Sequence, residues 1–527
     1  MDTSNLSRRR FLELVGAAGG STAIYQTSRA MGLLQDTGPV AKLDLQGVGA
    51  AGKKIAVLGA GIAGLTVAYE LERAGYEVTV LEASHRIGGR NMTLRHGDLI
   101  DEMGHNRVCN FDDDPDLYFN PGPARIPGHH KRILHYCKKL GIELQVKANF
   151  ARHAYTHESG HFGGNPVRKS EYFADAQGFM SELLYKAVDK NRFDEPLSVE
   201  DRERMLLFAK RIGDLQPDGT YHGTARAGYE SGGFIKPGTH KKTMDFSALL
   251  QSRHWESAFD NIHNPEWAEP LMEAVGGMDN ISKGLAKRIR SPILTNAQVQ
   301  SLQNTETGVD VVYNHNGERK KLSADWCFNS IPVHFMVGIP NNFPKDYNEG
   351  FAAVRPDNFF KIGLQMKERF WEREGIYGGI THTDQKINQI WYPSHGIHRQ
   401  KGVVLSAYAF GREQSAFFER MSPEDRIKYA GACGDNIHAG YSSYIEAGVS
   451  VPWGRMNHMM GCGIVWTPEK MEKYYKRMRA PEGRHYMIGD QISYHPTWQE
   501  GAFASAEYAL LDFDKHIRAE SAVSRKG

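Results

Sequence analysis

Three glycines early in the chain could bring the backbone close to a phosphate. Gly59, Gly61 and Gly64 form a G-x-G-x-x-G pattern directly after the apolar run 55–58, which predicts a buried parallel strand. Gly59 would permit a tight turn, Gly61 would let the backbone approach a pyrophosphate, and Gly64 would let a helix pack closely against the strand. Such a loop is typical of a site where the start of a helix binds a phosphate.

An acidic residue at the end of the next predicted strand adds a contact for a ribose. Glu82 follows the apolar run 77–81, about 20 residues after the glycines, where a carboxylate can accept hydrogen bonds from a ribose diol. Ile62 and Ala63 begin the helix between the two strands, and Ala83 follows the acid. Together these residues predict a dinucleotide site, and a glycine-rich turn in some other fold is the alternative.

A second glycine-rich segment follows the acid directly. In residues 86–90 the adjacent Gly88 and Gly89 would let backbone N–H groups reach a second phosphate, which Arg86 and Arg90 could neutralise. The arrangement resembles the glycine-doublet family of flavoproteins and favours FAD over a nicotinamide nucleotide. A basic turn at the surface is the alternative.

Composition argues against several other classes of protein. The 527 residues suffice for two or three domains, and a net charge of +2 gives no broad electrostatic case for a nucleic-acid partner. The five cysteines include no CxxC pair, which argues against a zinc ribbon or a disulfide framework. His153, His157 and His161 are evenly spaced, but serine and glycine interrupt their segment, so no metal site is predicted. No apolar run reaches about 18 residues, so no stable membrane insertion is expected.

The N-terminus contains a candidate export signal. Residues 7–12, SRRRFL, match the twin-arginine pattern and precede a weakly apolar stretch, so residues 1–35 are predicted to be a leader. The protein would then be periplasmic or secreted. Glu13 interrupts the apolar stretch and no A-x-A cleavage site follows. The alternative is a solvated basic tail on a cytoplasmic protein.

Motifs spread over roughly residues 53–515 resemble the bacterial L-amino acid oxidase branch of the flavin amine oxidases. Residues 122–127, GPARIP, are similar to a family segment whose arginine pairs with the substrate carboxylate. A planar guanidinium would give Arg125 a two-pronged, charge-assisted grip on that group. Arg107 is the competing candidate, because many relatives place this arginine there. A surface ion pair is the structural alternative for Arg125.

Two further residues of the predicted substrate site come from this resemblance. Lys361, in FFKIGL, is similar to the family lysine that holds a water against flavin N5. Tyr392, in IWYP, is similar to a tyrosine whose hydroxyl gives the carboxylate a second hydrogen bond. The structural alternatives are a strand lysine that faces water and a half-buried strand tyrosine.

The C-terminal part of the chain resembles the segments that complete the flavin site. Gly489 and Asp490 are similar to the turn that binds the ribityl chain, and Trp498 would wall the substrate cavity. Thr497 stands where relatives often have glycine, and its backbone carbonyl would face the substrate amine. The helix start that leads to Ala502 would direct N–H groups toward the flavin.

Two smaller features bear on how the cofactor is held. Val299 fits the family's backbone contact to adenine, although a strand valine with no special role would look the same. Relatives that bind flavin covalently have a cysteine in the C-terminal flavin segment. Residues 491–496 contain none, so the FAD is expected to be noncovalent.

The predicted fold class is α/β: a Rossmann-like FAD-binding domain of the glycine-doublet type, with an inserted α+β substrate-binding domain and a mainly helical subdomain. The predicted segments are 53–125, 275–335 and 460–520 for the FAD domain, 236–274 and 336–459 for the substrate domain, and 126–235 for the helical subdomain. A homodimer is expected, because relatives are commonly dimers.

The resemblance implies FAD-dependent oxidation of L-amino acids by O2. Hydride transfer from the substrate α-carbon to flavin N5 would lead to a 2-oxo acid, ammonia and H2O2, and the water held by Lys361 would assist. One alternative is an amine or polyamine oxidase, which would not need Arg125. A second is an amino acid 2-monooxygenase, which releases an amide and CO2. A desaturase or a non-catalytic flavoprotein is the third.

The side-chain preference is left open. Residues 232–273 are expected to line the pocket, with aromatic residues Trp255, Phe259 and Trp267. The same segment contains acidic residues that would suit a basic substrate or would simply be solvated: Glu256, Asp260, Glu266 and Glu269.

Overall fold

The computed structural model describes residues 40–43, 45, 50, 52–192, 197–252, 254–255 and 264–524. The predicted leader lies outside the described residues. So do Glu256, Phe259 and Asp260 of the segment predicted to line the pocket.

A five-stranded parallel sheet forms the centre of the nucleotide-binding domain. In spatial order its strands are Ile293–Leu294, Glu77–Leu81, Lys54–Leu58, Trp326–Asn329 and His485–Met487. These strands come from all three segments predicted for the FAD domain, and the predicted α/β fold class is confirmed. The domain limits themselves stay a prediction.

Helices cover this sheet and form its core with it. The helix Ile62–Arg73 is buried along its first ten residues, which are mostly apolar but include Thr66 and Glu70. The helices Asn280–Ala286 and Gln499–Ser524 pack against it. The helix Lys131–Leu140 also joins this core: the ring of its Tyr136 stacks on Phe503 at a centroid distance of 4.7 Å. This helix lies in the segment predicted to be the helical subdomain, and its buried face packs in the nucleotide-binding core.

A seven-stranded mixed sheet forms the second layer around the site. In spatial order its strands are Ile445–Pro452, Phe359–Met366, Gly402–Phe410, Gln389–Trp391, Ile380–Thr383, Tyr155–His157 and Val167–Arg168. Its pairs are antiparallel except that Ile380–Thr383 runs parallel to Tyr155–His157. The helices Gly411–Glu419 and Pro423–Asp435 pack against this sheet.

The remaining elements are smaller. An antiparallel meander lies along the chain between two strands of the parallel sheet, Ile293–Leu294 and Trp326–Asn329. Its strands are Ala297–Asn304, Val309–His315 and Glu318–Ala324. A second three-stranded unit contains Ile126–Pro127, Leu271–Ala274 and Leu144–Val146. A helical pair, Lys169–Asp189 and Val199–Gly213, packs beside the short helix Phe246–Gln251. Among the described helices, none is long and apolar enough to cross a membrane.

Candidate active site

A cavity of about 1080 Å³ lies between the nucleotide-binding sheet and the seven-stranded sheet. It is long and mostly apolar, as expected for a site that holds a dinucleotide and a small substrate. The predicted cofactor residues that line it are Gly59, Gly61, Ile62, Ala63, Glu82, Ala83, Gly89, Arg90, Arg125, Val299, Gly489, Asp490, Trp498 and Ala502. Lys361 and Thr497 line it too, whereas Gly64, Arg86 and Tyr392 do not.

The glycine loop has a shape that leaves room for a phosphate. Gly59 has a φ of +94°, and a Cβ there would lie 2.4 Å from the Ser330 hydroxyl oxygen. A Cβ on Gly64 would lie 2.0 Å from the Gly59 carbonyl oxygen, so only glycine fits where the helix meets the turn. A Cβ on Gly61 would meet nothing within 4 Å, because this residue borders the cavity. The loop and the helix start therefore fit a pyrophosphate.

Glu82 is held at the end of its strand by backbone hydrogen bonds. The N–H groups of Ala60 and Ser84 donate to its two carboxylate oxygens at 2.7 and 2.8 Å. Burial raises the pKa of Glu82, against the effect of these two bonds. Each oxygen keeps a second lone pair toward the cavity, which fits a ribose diol.

The two arginines of the glycine doublet have different roles. Arg86 donates to the carbonyl oxygens of Ile87 at 3.2 Å and Gly89 at 2.8 Å, and its side chain holds the doublet in shape behind the cavity wall. Arg86 is absent from the cavity lining, and its predicted contact with a phosphate stays a prediction. Arg90 does border the cavity, but its guanidinium forms a two-pronged ion pair with Asp490. This pair joins the two ends of the chain at the site.

Arg125 is a buried cation in an aromatic enclosure. Its guanidinium carbon lies 5.2 Å from the ring centre of Trp267, 5.0 Å from Trp391 and 5.6 Å from Trp498. Burial lowers its pKa to about 10, which still leaves it protonated at neutral pH. Its Nη1 donates to Asn149 at 3.3 Å.

The hydrogen bonding of Arg125 is incomplete. Its Nε is buried without a partner, and no carboxylate in the described part of the chain forms an ion pair with it. A buried cation of this kind is costly unless an anion accompanies it. The cavity beside Arg125 is therefore a site for an anionic group.

Arg107, the competing candidate, is used elsewhere. Its Nη2 lies 2.7 Å from the Glu102 carboxylate and donates to the Ser450 carbonyl oxygen at 3.2 Å. Glu102 is fully buried and also pairs with Arg426 at 2.7 Å. Of the two candidate arginines, Arg125 lines the cavity and Arg107 does not.

Tyr392 faces away from the cavity, which contradicts its predicted role. Its hydroxyl lies 2.8 Å from the Thr381 hydroxyl and 2.6 Å from His438 Nε2, inside the core of the seven-stranded sheet. The preceding residue, Trp391, lines the cavity instead. Successive side chains of an extended chain point to opposite faces, so a shift of one position decides which residue reaches the site.

Lys361 is buried at the cavity wall. Its Nζ donates to the Gly122 carbonyl oxygen at 2.6 Å and lies 4.4 Å from the ring centre of Tyr408. Burial lowers the pKa of Lys361 to about 7, and the positive charges of Arg125 and Lys147 contribute. An ammonium group that loses its proton near neutral pH can hold or exchange a proton with a nearby water.

The C-terminal segment contributes Thr497 and Trp498 to the cavity wall. The Thr497 N–H donates to Asp490 at 2.8 Å, and the residue has a φ of +71°. This left-handed conformation explains why glycine suits the position. The Trp498 ring lies across the cavity wall and stacks on His495.

Other lining residues were not identified as site residues from the sequence. Trp391 and Tyr408 lie on neighbouring strands, and their alternation with core positions is the signal that could have identified them.

Trp267 lines the cavity as predicted, whereas Trp255 does not. The carboxylates of Glu266 and Glu269 bind histidines and backbone N–H groups, and neither residue lines the cavity.

The chain is similar to known flavoproteins over most of its length. A model described as flavin containing amine oxidoreductase matches residues 62–509, and one described as pyridine nucleotide-disulphide oxidoreductase matches residues 7–109. A putative L-amino-acid oxidase, YobN, of Bacillus subtilis is 28% identical over 86% of this chain and 93% of its own length. An L-amino-acid oxidase of Echis ocellatus is 26% identical over 88% of this chain and 89% of its own.

Solved structures share the fold. Cyclohexylamine oxidase from Brevibacterium oxydans has a TM-score of 0.59 at 14% identity, covering 88% of this chain and 99% of its own. Putrescine oxidase bound to putrescine has a TM-score of 0.58 at 16% identity, covering 88% of this chain and 98% of its own.

Proposed function

The chain belongs to the flavin-containing amine oxidoreductases, and on this premise we propose that it oxidises L-amino acids with O2. It is an oxidoreductase and its cofactor is FAD. The proposed products are a 2-oxo acid, ammonia and H2O2. Relatives whose names specify L-amino-acid oxidase support this choice of substrate.

One observation favours amino acids over simple amines: Arg125 is a buried cation beside the cavity, and no described carboxylate pairs with it. An amino acid brings its own anion into this position, and a guanidinium matches a carboxylate through two parallel hydrogen bonds. A simple amine would add a second cation to the enclosure instead. The solved amine oxidases share the fold, which by itself says nothing about the substrate.

The residues that would hold FAD follow the length of the cavity. Gly61 and the start of its helix would bind the pyrophosphate, Glu82 the ribose, and Asp490 the ribityl chain. Val299 would contact adenine. No cysteine lies in residues 491–496, so we expect acid or heat to release the flavin intact.

The chain's own groups would orient the substrate and manage protons. Arg125 would hold the carboxylate, the backbone carbonyl of Thr497 would accept a hydrogen bond from the amine, and Trp498 would exclude water. Lys361 would hold a water or a proton at Nζ. When bound, the flavin accepts the hydride from the substrate α-carbon and passes the electrons to O2.

Product analysis separates this function from its alternatives. The purified enzyme would be offered each of the twenty L-amino acids and the corresponding decarboxylated amines, and peroxide, ammonia and organic products would be measured. A 2-oxo acid with peroxide and ammonia supports the proposal. Turnover of amines better than amino acids would identify an amine oxidase, and an amide with CO2 would identify a monooxygenase.

We also propose export and dimerisation. The twin-arginine pattern in residues 7–12 supports export, and fusion of residues 1–35 to a reporter that is active only after export would test it. Loss of export when Arg8 and Arg9 are replaced by lysine would support the assignment. Light scattering of the purified enzyme would show whether it is the expected homodimer.

A further inference from the structure

A short β-hairpin presents two large apolar side chains to solvent. The strands Tyr229–Ser231 and Thr239–His240 pair antiparallel, and residues 232–238 connect them. Phe234 and Ile235 lie in this connection, with exposed fractions of 100% and 99%. We call these two residues the apolar tip. Such exposure leaves neither side chain packed on any described residue, and neither has a part in the proposed reaction.

The apolar tip is more exposed than every other large apolar side chain that the structure describes. The next in order are Val199 at 76% and Val146 at 71%. Single, partly exposed apolar side chains are normal on protein surfaces. Two adjacent and fully exposed ones contribute nothing to the stability of the fold, because they bury no area. The apolar tip is therefore a candidate contact for something outside the chain.

The connection that carries the apolar tip has a defined shape. The Gly233 N–H donates to the Lys236 carbonyl oxygen at 2.9 Å, which closes a turn around the two apolar residues. The ring of Tyr229 packs beside this turn: a Cβ on Gly233 or Gly238 would lie 2.4 or 2.2 Å from its ring atoms. Gly233 also has a φ of +99°, which favours glycine. The local sequence thus builds a turn that directs the apolar tip away from the protein.

The surface around the apolar tip is basic. Residues 226–242 contain four basic residues and one acidic residue, a net charge of +3, whereas the whole chain has a net charge of +2. The basic residues are Arg226, Lys236, Lys241 and Lys242, and the acidic one is Glu230. Lys241 pairs with Glu171, whereas the side chains of Lys236 and Lys242 are exposed. This segment would therefore attract an anionic surface.

An apolar tip with basic neighbours fits the surface of an anionic lipid bilayer. Apolar side chains enter the boundary between headgroups and acyl chains, while neighbouring lysines contact the lipid phosphates. The partly exposed Tyr229 suits the same depth, because its ring is apolar and its hydroxyl is polar.

A second copy of this chain fits the apolar tip less well. A phenylalanine and an isoleucine together offer about 400 Å² at most, whereas a stable protein interface buries about 800 Å² on each partner. A convex tip would also need a matching pocket on the partner, which a fluid bilayer surface does not require.

We propose that this hairpin is a peripheral membrane anchor that inserts Phe234 and Ile235 into the headgroup boundary of an anionic bilayer. Lys236 and Lys242 would contact the lipid phosphates. The attachment would be reversible, because two apolar side chains bury little area compared with a spanning helix. It would hold the enzyme at the membrane surface without any segment crossing the bilayer.

The test measures binding of the full-length, FAD-loaded enzyme to vesicles. Vesicles of phosphatidylglycerol and phosphatidylcholine would be sedimented with the enzyme, and the bound fraction gives a partition coefficient. Phe234→Ser combined with Ile235→Ser should lower this coefficient at least about tenfold, because the apolar contribution is lost. Lys236→Gln combined with Lys242→Gln should lower it about 25-fold, since each lysine near such a surface contributes about fivefold. Salt at about 0.5 M should weaken binding of the wild type.

A control variant and two measures of folding accompany this test. Val146→Ser removes another exposed apolar side chain and should leave the partition coefficient unchanged. Because every variant has the same N-terminal segment, any binding by that segment is equal in all of them. FAD absorbance per chain and the melting temperature should stay constant in the tip variant, because the apolar tip supports no other described residue.

Three outcomes would overturn the proposal. The first is wild type that does not bind the anionic vesicles, and the second is a tip variant that binds them as well as wild type does. The third is an equal loss of binding in Val146→Ser. If the apolar tip contacts a second copy instead, light scattering would show a lower molar mass for the tip variant while vesicle binding stays unchanged. None of these readouts depends on which substrate the enzyme oxidises.

Discussion

Replacement of Arg125 by methionine removes the buried guanidinium and keeps much of the side-chain volume. The cation lies among three indole rings, without a carboxylate partner in the described chain, so a substrate carboxylate would be its main counter-ion. Truncation of one partner of a buried, hydrogen-bonded charge pair costs about 2–5 kcal/mol. That corresponds to a loss of about 30-fold to 5000-fold in kcat/KM.

We expect the upper part of this range for Arg125→Met. Lys361, another basic residue at the cavity, donates to the Gly122 carbonyl oxygen at 2.6 Å and is not free to replace the guanidinium. The loss should appear mainly in KM, because the carboxylate is bound in both the ground state and the transition state. FAD content should stay near that of the wild type. The melting temperature should hold or rise, because a buried charge without a described counter-ion has been removed.

The assay couples peroxide formation to a peroxidase, with the best L-amino acid and its decarboxylated amine as substrates. Arg125→Met should lose activity on the amino acid but not on the amine, so the ratio of the two kcat/KM values should fall by at least about 30-fold. Arg107→Lys is the control, because it keeps the charge beside Glu102 and should leave both KM values unchanged. Near-normal KM for the amino acid in Arg125→Met would refute this account of the site.

Three further predictions concern Lys361, the glycine loop and Tyr392. Burial lowers the pKa of Lys361 to about 7, so the unfolded state binds more protons than the folded state between pH 7 and the ordinary lysine pKa of 10.5. The free energy of unfolding of the wild type should therefore rise with pH across this window, relative to that of Lys361→Met, by about 3–5 kcal/mol in total. Chemical unfolding at several pH values measures this difference. Gly61→Val should abolish FAD binding but leave the apoprotein folded, because the new Cβ would enter the open cavity. Gly64→Val should instead lower the melting temperature of the apoprotein, because its Cβ would lie 2.0 Å from the Gly59 carbonyl oxygen. Tyr392→Phe should destabilise the fold by about 1–2 kcal/mol and leave KM unchanged, because its hydroxyl bonds within the core. An increase in KM with unchanged stability would restore Tyr392 to the substrate site.

The local chemistry of the nucleotide site could be predicted from the sequence. The turn at Gly59, the close packing at Gly64 and the acid at Glu82 all lie within one continuous strand–helix–strand unit. Helices and strands were also placed well where their pattern is strong. The helix start predicted to lead to Ala502 corresponds to the helix Gln499–Ser524.

Assignments that depend on side-chain direction or on distant partners required the folded chain. Tyr392 and Trp391 are adjacent, and only the pairing of their strand shows which one faces the cavity. Arg125 and Arg107 have the same chemistry, and only the folded chain shows that Arg107 pairs with Glu102 whereas Arg125 lines the cavity. His130 and His495 are 365 residues apart, and no local pattern connects them.

The sequence by itself thus determined the cofactor class and the parallel sheet, because short-range backbone chemistry sets the phosphate loop and its strands. The tertiary structure alone decided which arginine is buried beside the cavity and which aromatic rings enclose it. These properties depend on burial and on contacts between remote segments, and both arise only when the seven-stranded sheet closes over the nucleotide-binding domain.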